Sequence, residues 1–175
     1  MNFSVAFLVI MYLIEGAHSL VEFTNFQCES LDRNFCGFEY CHIKSVNRTY
    51  KYISLKVNLF KTPVSSVKVN TAFYKRLSGY KPFLYNVTVD GCKFLENQNS
   101  NPVSKFIFSV FKDVSNLNHS CPYDHDILME KLSTEKFNHY VTKILPFPEG
   151  VYMVKMNWIA YGINRAVIRV YYTIT

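Results

Sequence analysis

Nowhere in these 175 residues does an uninterrupted apolar run reach the about 20 residues that a membrane-spanning helix requires, so hydropathy offers no helical anchor. No run of Lys or Arg is longer than the pair Lys75-Arg76 and there is no RNA-binding motif, which argues against nucleic acid as a partner. The chain also lacks a G-x-S-x-G elbow, a recognisable pair of catalytic carboxylates and a glycine-rich phosphate cradle, its six glycines being scattered. These absences point away from serine hydrolase, glycosidase and nucleotide chemistry. The expectation is a non-enzymatic protein with no cofactor. No internal repeat, low-complexity tract or break in composition marks a linker.

What is present begins with a short apolar run in "FSVAFLVIMYLIEGAHS". It meets Glu15 and Gly16 after about a dozen residues and ends in a small-x-small pattern at Ala17 and Ser19, as secretory signal peptides do. Residues 1–19 are therefore expected to be a signal peptide and 20–175 a single secreted, extracellular domain. Loss of Glu15 raises the formal charge from +6 to +7. A basic surface of that size favours anionic partners such as lipid head groups, glycans or an acidic receptor patch.

An exported chain gives its cysteines a different meaning from a cytosolic one. All five, Cys28, Cys36, Cys41, Cys92 and Cys121, lie beyond residue 19, and in an oxidising compartment most pair, leaving one over. Sequons at Asn47, Asn86 and Asn118 are candidate glycosylation sites and would then lie on the surface.

Most of the chain alternates with the period of a strand. Ile53, Leu55, Val57 and Leu59 share one face against Ser54, Lys56 and Asn58, and "FEYCHIKSV" upstream forms a second strand, with "NRT" turning the chain between them. Val67, Val69, Thr71 and Phe73 alternate with Lys68, Asn70 and Tyr74. In "PFLYNVTVDGC", Tyr85, Val87 and Val89 oppose Asn86 and Thr88. Two long β-rich runs, "GVYMVKMNWIAY" and "RAVIRVYYTIT", join through a short "GIN" turn, and "LPFPEG" before them is a turn or extended connection. Seven or eight short strands at this spacing predict a mainly β, two-sheet sandwich.

One segment breaks the pattern. In "NPVSKFIFSVFKDV", Val103, Phe106, Ile107, Val110, Phe111 and Val114 recur at the spacing of one helical face, with Asn101 placed to cap and Pro102 in the first turn. Phe106, Ile107, Val110 and Phe111 are expected to face inward, and Lys105, Ser109 and Lys112 outward. The densest polar cluster, "NHSCPYDHD", holds His119, Cys121, Asp124, His125 and Asp126. Its spacing matches no known ligand pattern and an oxidised Cys121 neither binds metal nor attacks a substrate, so it reads as a polar loop and no metal is assigned. Aromatic residues make up 17% of the chain, enough either to fill a large core or to line an apolar cavity.

The segments "FTNFQCES", "CHIKSVNRTYKYISLKV", "GYKPFLYNVTVDGCKFL", "NHSCPYDHD", "ILPFPEGVYMVKMNWIAY" and "NRAVIRVY" together resemble a large insect family of small secreted proteins of unknown function. That family is related to the lipid-recognition superfamily of the myeloid differentiation and ganglioside activator proteins. The resemblance implies an immunoglobulin-like sandwich of about seven to eight strands whose sheets part to admit a lipid or other hydrophobic small molecule. It also implies a chemosensory setting, since some relatives are associated with contact detection of hydrophobic pheromones, and a membrane receptor or degenerin-type channel as partner. The alternative is a ligand-free accessory module for such a receptor. Candidate cavity residues are Phe106, Ile107, Val110, Phe111, Val57, Val69, Phe73, Tyr85, Val87 and Trp158.

Within this frame Cys92 is expected to bond Cys121 around the helix, and Cys28 to bond Cys41, stapling the N-terminal strand to its neighbour and leaving Cys36 free. Three pairings compete among Cys28, Cys36 and Cys41. The superfamily often links its N-terminal region to the last strand by a disulfide. This chain has no cysteine after Cys121, which leaves one edge of the cavity freer to open.

Overall fold

The computed structural model describes residues 20–47 and 50–175; the expected signal peptide and the last two sequon residues at 48 and 49 lie outside them. Among the described residues eight strands form two antiparallel sheets. They are β1 (Val21–Ser30), β2 (Cys36–Ser45), β3 (Lys51–Leu59), β4 (Val67–Leu77), β5 (Gly79–Asp90), β6 (Ile127–Ser133), β7 (Gly150–Ala160) and β8 (Ile163–Ile174). The larger sheet runs β1-β8-β7-β4-β5 and the smaller β2-β3-β6. The result is the mainly β two-sheet sandwich that alternation predicts, because each sheet has one apolar face that only the other can cover.

Local chemistry sets the turns. The β7–β8 hairpin reverses at Tyr161 and Gly162, both with positive φ, 52° and 77°, the handedness that matches the twist of the flanking strands. Strand β3 departs from simple alternation: Ser54, on its nominally polar face, is buried. It lies in the central strand of the smaller sheet, beside an irregularity in the pairing with β6. Its hydroxyl accepts the Lys131 N–H at 2.9 Å, which satisfies a buried polar atom. Strand β6 carries a Glu-Lys pair in "ILMEKLS" and has Lys131 at φ 54°, so its pattern is too broken to stand out in the sequence.

The sequence anticipates one helix; the structure has more. Three α-helices are present among the described residues, α1 (Gly91–Glu96), α2 (Pro102–Phe111) and α3 (Thr134–Asn138). A 3-10 turn follows α2 at Lys112–Val114, and a π-helical turn follows α3 at His139–Ile144. Helix α2 starts as predicted, the Asn101 side chain accepting the Ser104 N–H at 2.9 Å with Pro102 behind it. Helices α1 and α3 are five or six residues long, too short to show a hydrophobic period.

Two disulfides brace this frame. Cys28 of β1 bonds Cys41 of β2. Because β1 and β2 belong to different sheets, the bond ties the sandwich across its layers rather than along one sheet. Cys92 of α1 bonds Cys121, enclosing α2. Loop-closure entropy puts such bonds at about 3 to 4 kcal/mol, the longer loop giving the larger value. No bond joins β1 to the last strand, but β1 pairs with β8 from Val21 opposite Ile174 to Ser30 opposite Ala166, so a hydrogen-bonded ladder holds that edge.

Candidate functional site

The aromatic excess resolves into two halves. Near the start of β7 the sandwich is packed solid with rings. Tyr152 and Tyr172, opposite each other on β7 and β8, stack at 5.4 Å and 17°. Phe137 of α3 packs on Tyr172 at 4.9 Å and on Phe23 at 5.2 Å, and Phe83 and Phe147 close against Tyr152. Towards the Tyr161–Gly162 turn the same sandwich is hollow.

Two apolar chambers lie there, of about 160 Å³ and about 70 Å³. The larger is walled by Phe35 in the turn before β2, by Val57 and Leu59 of β3, by Val67, Val69, Val87 and Val89 from β4 and β5, and by Phe94 of α1. The smaller reaches inward to Phe26, Ile53, Phe73, Phe137 and Val154. Between them stands a septum whose residues line both: Ile107 and Phe111 of α2, Leu117 after it, Ile127 of β6, and Met156 and Trp158 of β7. Helix α2 thus forms a wall of both chambers, with Ile107 and Phe111 between them.

The expected cavity residues divide as follows. Val57, Val69 and Val87 line the larger chamber, Phe73, Phe106 and Val110 the smaller, and Ile107, Phe111 and Trp158 both. Tyr85 lines neither, and packs edge-on against Phe73 at 6.3 Å. The inward face of α2 is broader than its periodicity implies: Phe108 and Ser104 are buried along with Val110, whereas Phe106 is half-exposed beside Tyr140 at 6.0 Å. The reason is α1, which covers a second flank of the helix, Phe94 meeting Phe108 edge to face at 5.7 Å. On the outer side Lys105 is exposed, while Ser109 and Lys112 are half-buried.

Several lining residues escape the sequence reading. Met156 shares the alternating face of Trp158, so a strand period could have found it, whereas Ile127 opens β6, whose broken pattern hides it. Phe35, Tyr123 and Cys36 sit where no period runs.

Besides the Tyr123 hydroxyl and the Trp158 indole, the polar side chains of the larger chamber are Cys36, Thr71, Ser104 and Arg165. Ser104 is 6% exposed and its Oγ has no hydrogen-bond partner, a state that costs about 1 to 3 kcal/mol. Arg165 places its guanidinium 4.4 Å from the centre of the Phe35 ring and pairs with Asp32. Burial works against the Asp32 charge, but Arg165 and the Asn34 N–H outweigh it and hold the carboxyl below its usual range. Cys36 is the free cysteine, buried, with its Sγ 3.8 Å from the Arg165 carbonyl; burial above all pushes its thiol up. Among the described residues no histidine or carboxylate lines either chamber.

The three sequon asparagines, Asn47, Asn86 and Asn118, are all exposed. In the polar cluster Cys121 is consumed by its disulfide, and the Asp126 carboxylate accepts the Leu59 N–H at 3.0 Å. Tyr123, by contrast, is buried in the wall of the larger chamber, donating its hydroxyl to the carbonyls of Leu117 and His119; burial raises its pKa to about 12.

Residues 69–154 match the family model described as a protein of unknown function, DUF1091. That segment holds β4 to early β7, with α1, α2 and the Cys92–Cys121 bond inside it. No curated protein matches the chain. Among solved structures, the crystal structure of a Niemann-Pick type C2 protein from Japanese carpenter ant is similar at 15% identity and a TM-score of 0.34, over 87% of this chain and 90% of that one.

Proposed function

From a chain whose residues 69–154 belong to the DUF1091 family, we propose a non-enzymatic, extracellular binding protein that holds a lipid or other hydrophobic small molecule between its sheets. The observation that carries this reading is the pair of apolar chambers divided by a side-chain septum. Apolar cavities of about 150 Å³ stay dry and admit a molecule the size of benzene, so the larger chamber alone suits a ring or a short chain. A longer acyl chain fits only if Ile107, Phe111 and Trp158 turn aside and join the chambers. The buried Ser104 hydroxyl would take one polar group of the ligand. Among the described residues that line the chambers no histidine or carboxylate stands beside Cys36 or Ser104.

The finer reading is chemosensory, with a hydrophobic pheromone as ligand and a receptor or degenerin-type channel as partner. It rests on the family resemblance. A ligand-free accessory role draws support from the exposed Leu77, Tyr80 and Leu84 around the β4–β5 turn, beside the exposed Arg76 and Lys81.

Native mass spectrometry of protein secreted from insect cells separates the two. One extractable hydrophobic molecule per chain, lost in a secreted Ile107→Trp variant that fills the septum, supports the binding role. A chain that is always empty and takes up no hydrophobic probe supports the accessory role instead.

A further inference from the structure

His119 and His125 carry an inference that the binding role does not absorb. Six positions apart on the loop after α2, their Nε2 atoms stand 2.9 Å from each other. The loop is folded back and fastened. Asn116 accepts the Leu128 N–H at 2.8 Å and donates to the Asp126 carbonyl at 2.7 Å, while Cys121 is bonded to Cys92.

The opposite ring nitrogens orient the rings. His119 Nδ1 lies 2.7 Å from the Ser120 carbonyl and His125 Nδ1 lies 2.9 Å from the Asp126 carbonyl. A carbonyl oxygen only accepts, so His119 carries its hydrogen on Nδ1 and presents a bare lone pair at Nε2. At His125 the Nδ1 faces both the Asp126 carbonyl and, at 3.2 Å, one of the two hydrogens of Asn116 Nδ2, so its own hydrogen can sit on either nitrogen. Two imidazole Nε2 atoms this close share one electrophile between them, a proton or a metal ion that displaces it.

We propose that His119 and His125 form a binding site for a nitrogen-preferring divalent cation, copper(II) foremost and zinc(II) next. A ring whose Nδ1–H is held by a carbonyl while Nε2 is left free is the usual orientation of a metal-binding histidine. With metal–nitrogen bonds of about 2.0 to 2.1 Å, two such nitrogens sit about 2.9 Å apart at the right angle of a tetragonal copper(II) site, the spacing seen, and about 3.3 Å apart at the tetrahedral angle of zinc(II). Imidazole donors select copper and zinc over magnesium and calcium, with copper binding most tightly. Both rings are exposed, which gives the ion an entry path, and with the Asp126 carboxylate committed to Leu59, water completes the coordination. The site bears on the cavity because Tyr123, a wall of the larger chamber, packs 4.5 Å from His119 and 6.0 Å from His125. An ion there braces that wall.

The test is calorimetric titration of the full secreted chain with copper(II) and, separately, zinc(II) at neutral pH, with electron paramagnetic resonance of the copper form. One ion per chain with imidazole nitrogen couplings is expected. His119→Gln and His125→Gln should each weaken binding at least tenfold with unchanged near-ultraviolet circular dichroism, while His42→Gln has no effect. The proposal is overturned if neither ion is taken up, if both glutamine variants bind as well as the parent, or if nitrogen NMR in excess zinc(II) shows only a proton shared between the two rings.

Discussion

Phe108 of α2 meets Phe94 of α1 edge to face, ring centroids 5.7 Å apart and planes at 85°. Both rings line the larger chamber, and the Cys92–Cys121 bond anchors α1 close by. The contact fixes α2 over the hollow half of the sandwich.

Truncating that ring should therefore cost more than truncating a half-exposed neighbour on the same helix. Phe108→Ala is expected to lose about 3 to 5 kcal/mol, and Phe106→Ala distinctly less, by urea denaturation. Phe108→Asp and Phe111→Asp should block secretion, whereas Lys105→Asp, at an exposed site, should leave it intact. Equal losses at 106 and 108 would show that α1 does not hold the helix.

Opening the septum should trade stability for capacity. Phe111→Ala removes a ring shared by both chambers. It should destabilise by about 2 to 4 kcal/mol, somewhat below a fully buried Phe, while allowing a longer fluorescent acyl chain to bind. If chain-length preference stays the same in the variant, the chambers do not act as one site.

Acid should weaken the fold through Asp32. Its carboxyl is depressed in the folded protein. The stability it contributes is thus fully present above the ordinary aspartate value of about 3.9 and disappears as pH falls through the lower folded value. Glu39, held down by the Lys56 hydrogen bond, and Asp113, held down by Lys136, act in the same direction. Lys56 is raised by Glu39, so its share persists through neutral pH and fades only above the usual lysine range. Thermal midpoints between pH 2 and 5 should fall less steeply in Asp32→Asn than in the parent; identical slopes would remove Asp32 from the account.

Cys36 should behave as a closed-off thiol. Burial raises its pKa, leaving little reactive thiolate at mildly alkaline pH. Iodoacetamide at pH 8 is expected to label no cysteine in the native protein and one per chain after unfolding without reductant. Rapid native labelling would mean that the larger chamber opens far enough to expose its wall.

The sequence by itself determined what depends on neighbours along the chain. Alternation at Ile53, Leu55, Val57 and Leu59 fixed a strand, because side chains two apart share a face whatever lies opposite. Asn101, Pro102 and the recurrence from Val103 to Val114 fixed a helix and its start, because cap and period are both local. The folded structure alone decided the rest. Phe108 rather than Phe106 is buried because α1, too short to show a period, covers the second flank of α2. Strand β6 hides in the sequence because its pattern is broken at Lys131. Tyr85 misses the chambers because a ring can turn towards Phe73 as easily as into the gap. Whether the aromatic excess fills or lines the interior depends on how closely two sheets approach along their length, and the answer is both: rings fill one end, while smaller Val, Ile and Leu side chains leave room at the other. The meeting of His119 with His125 is likewise set by a loop folded back on itself. Periodicity records which face a residue occupies; the space in front of that face belongs to packing between segments distant in the chain.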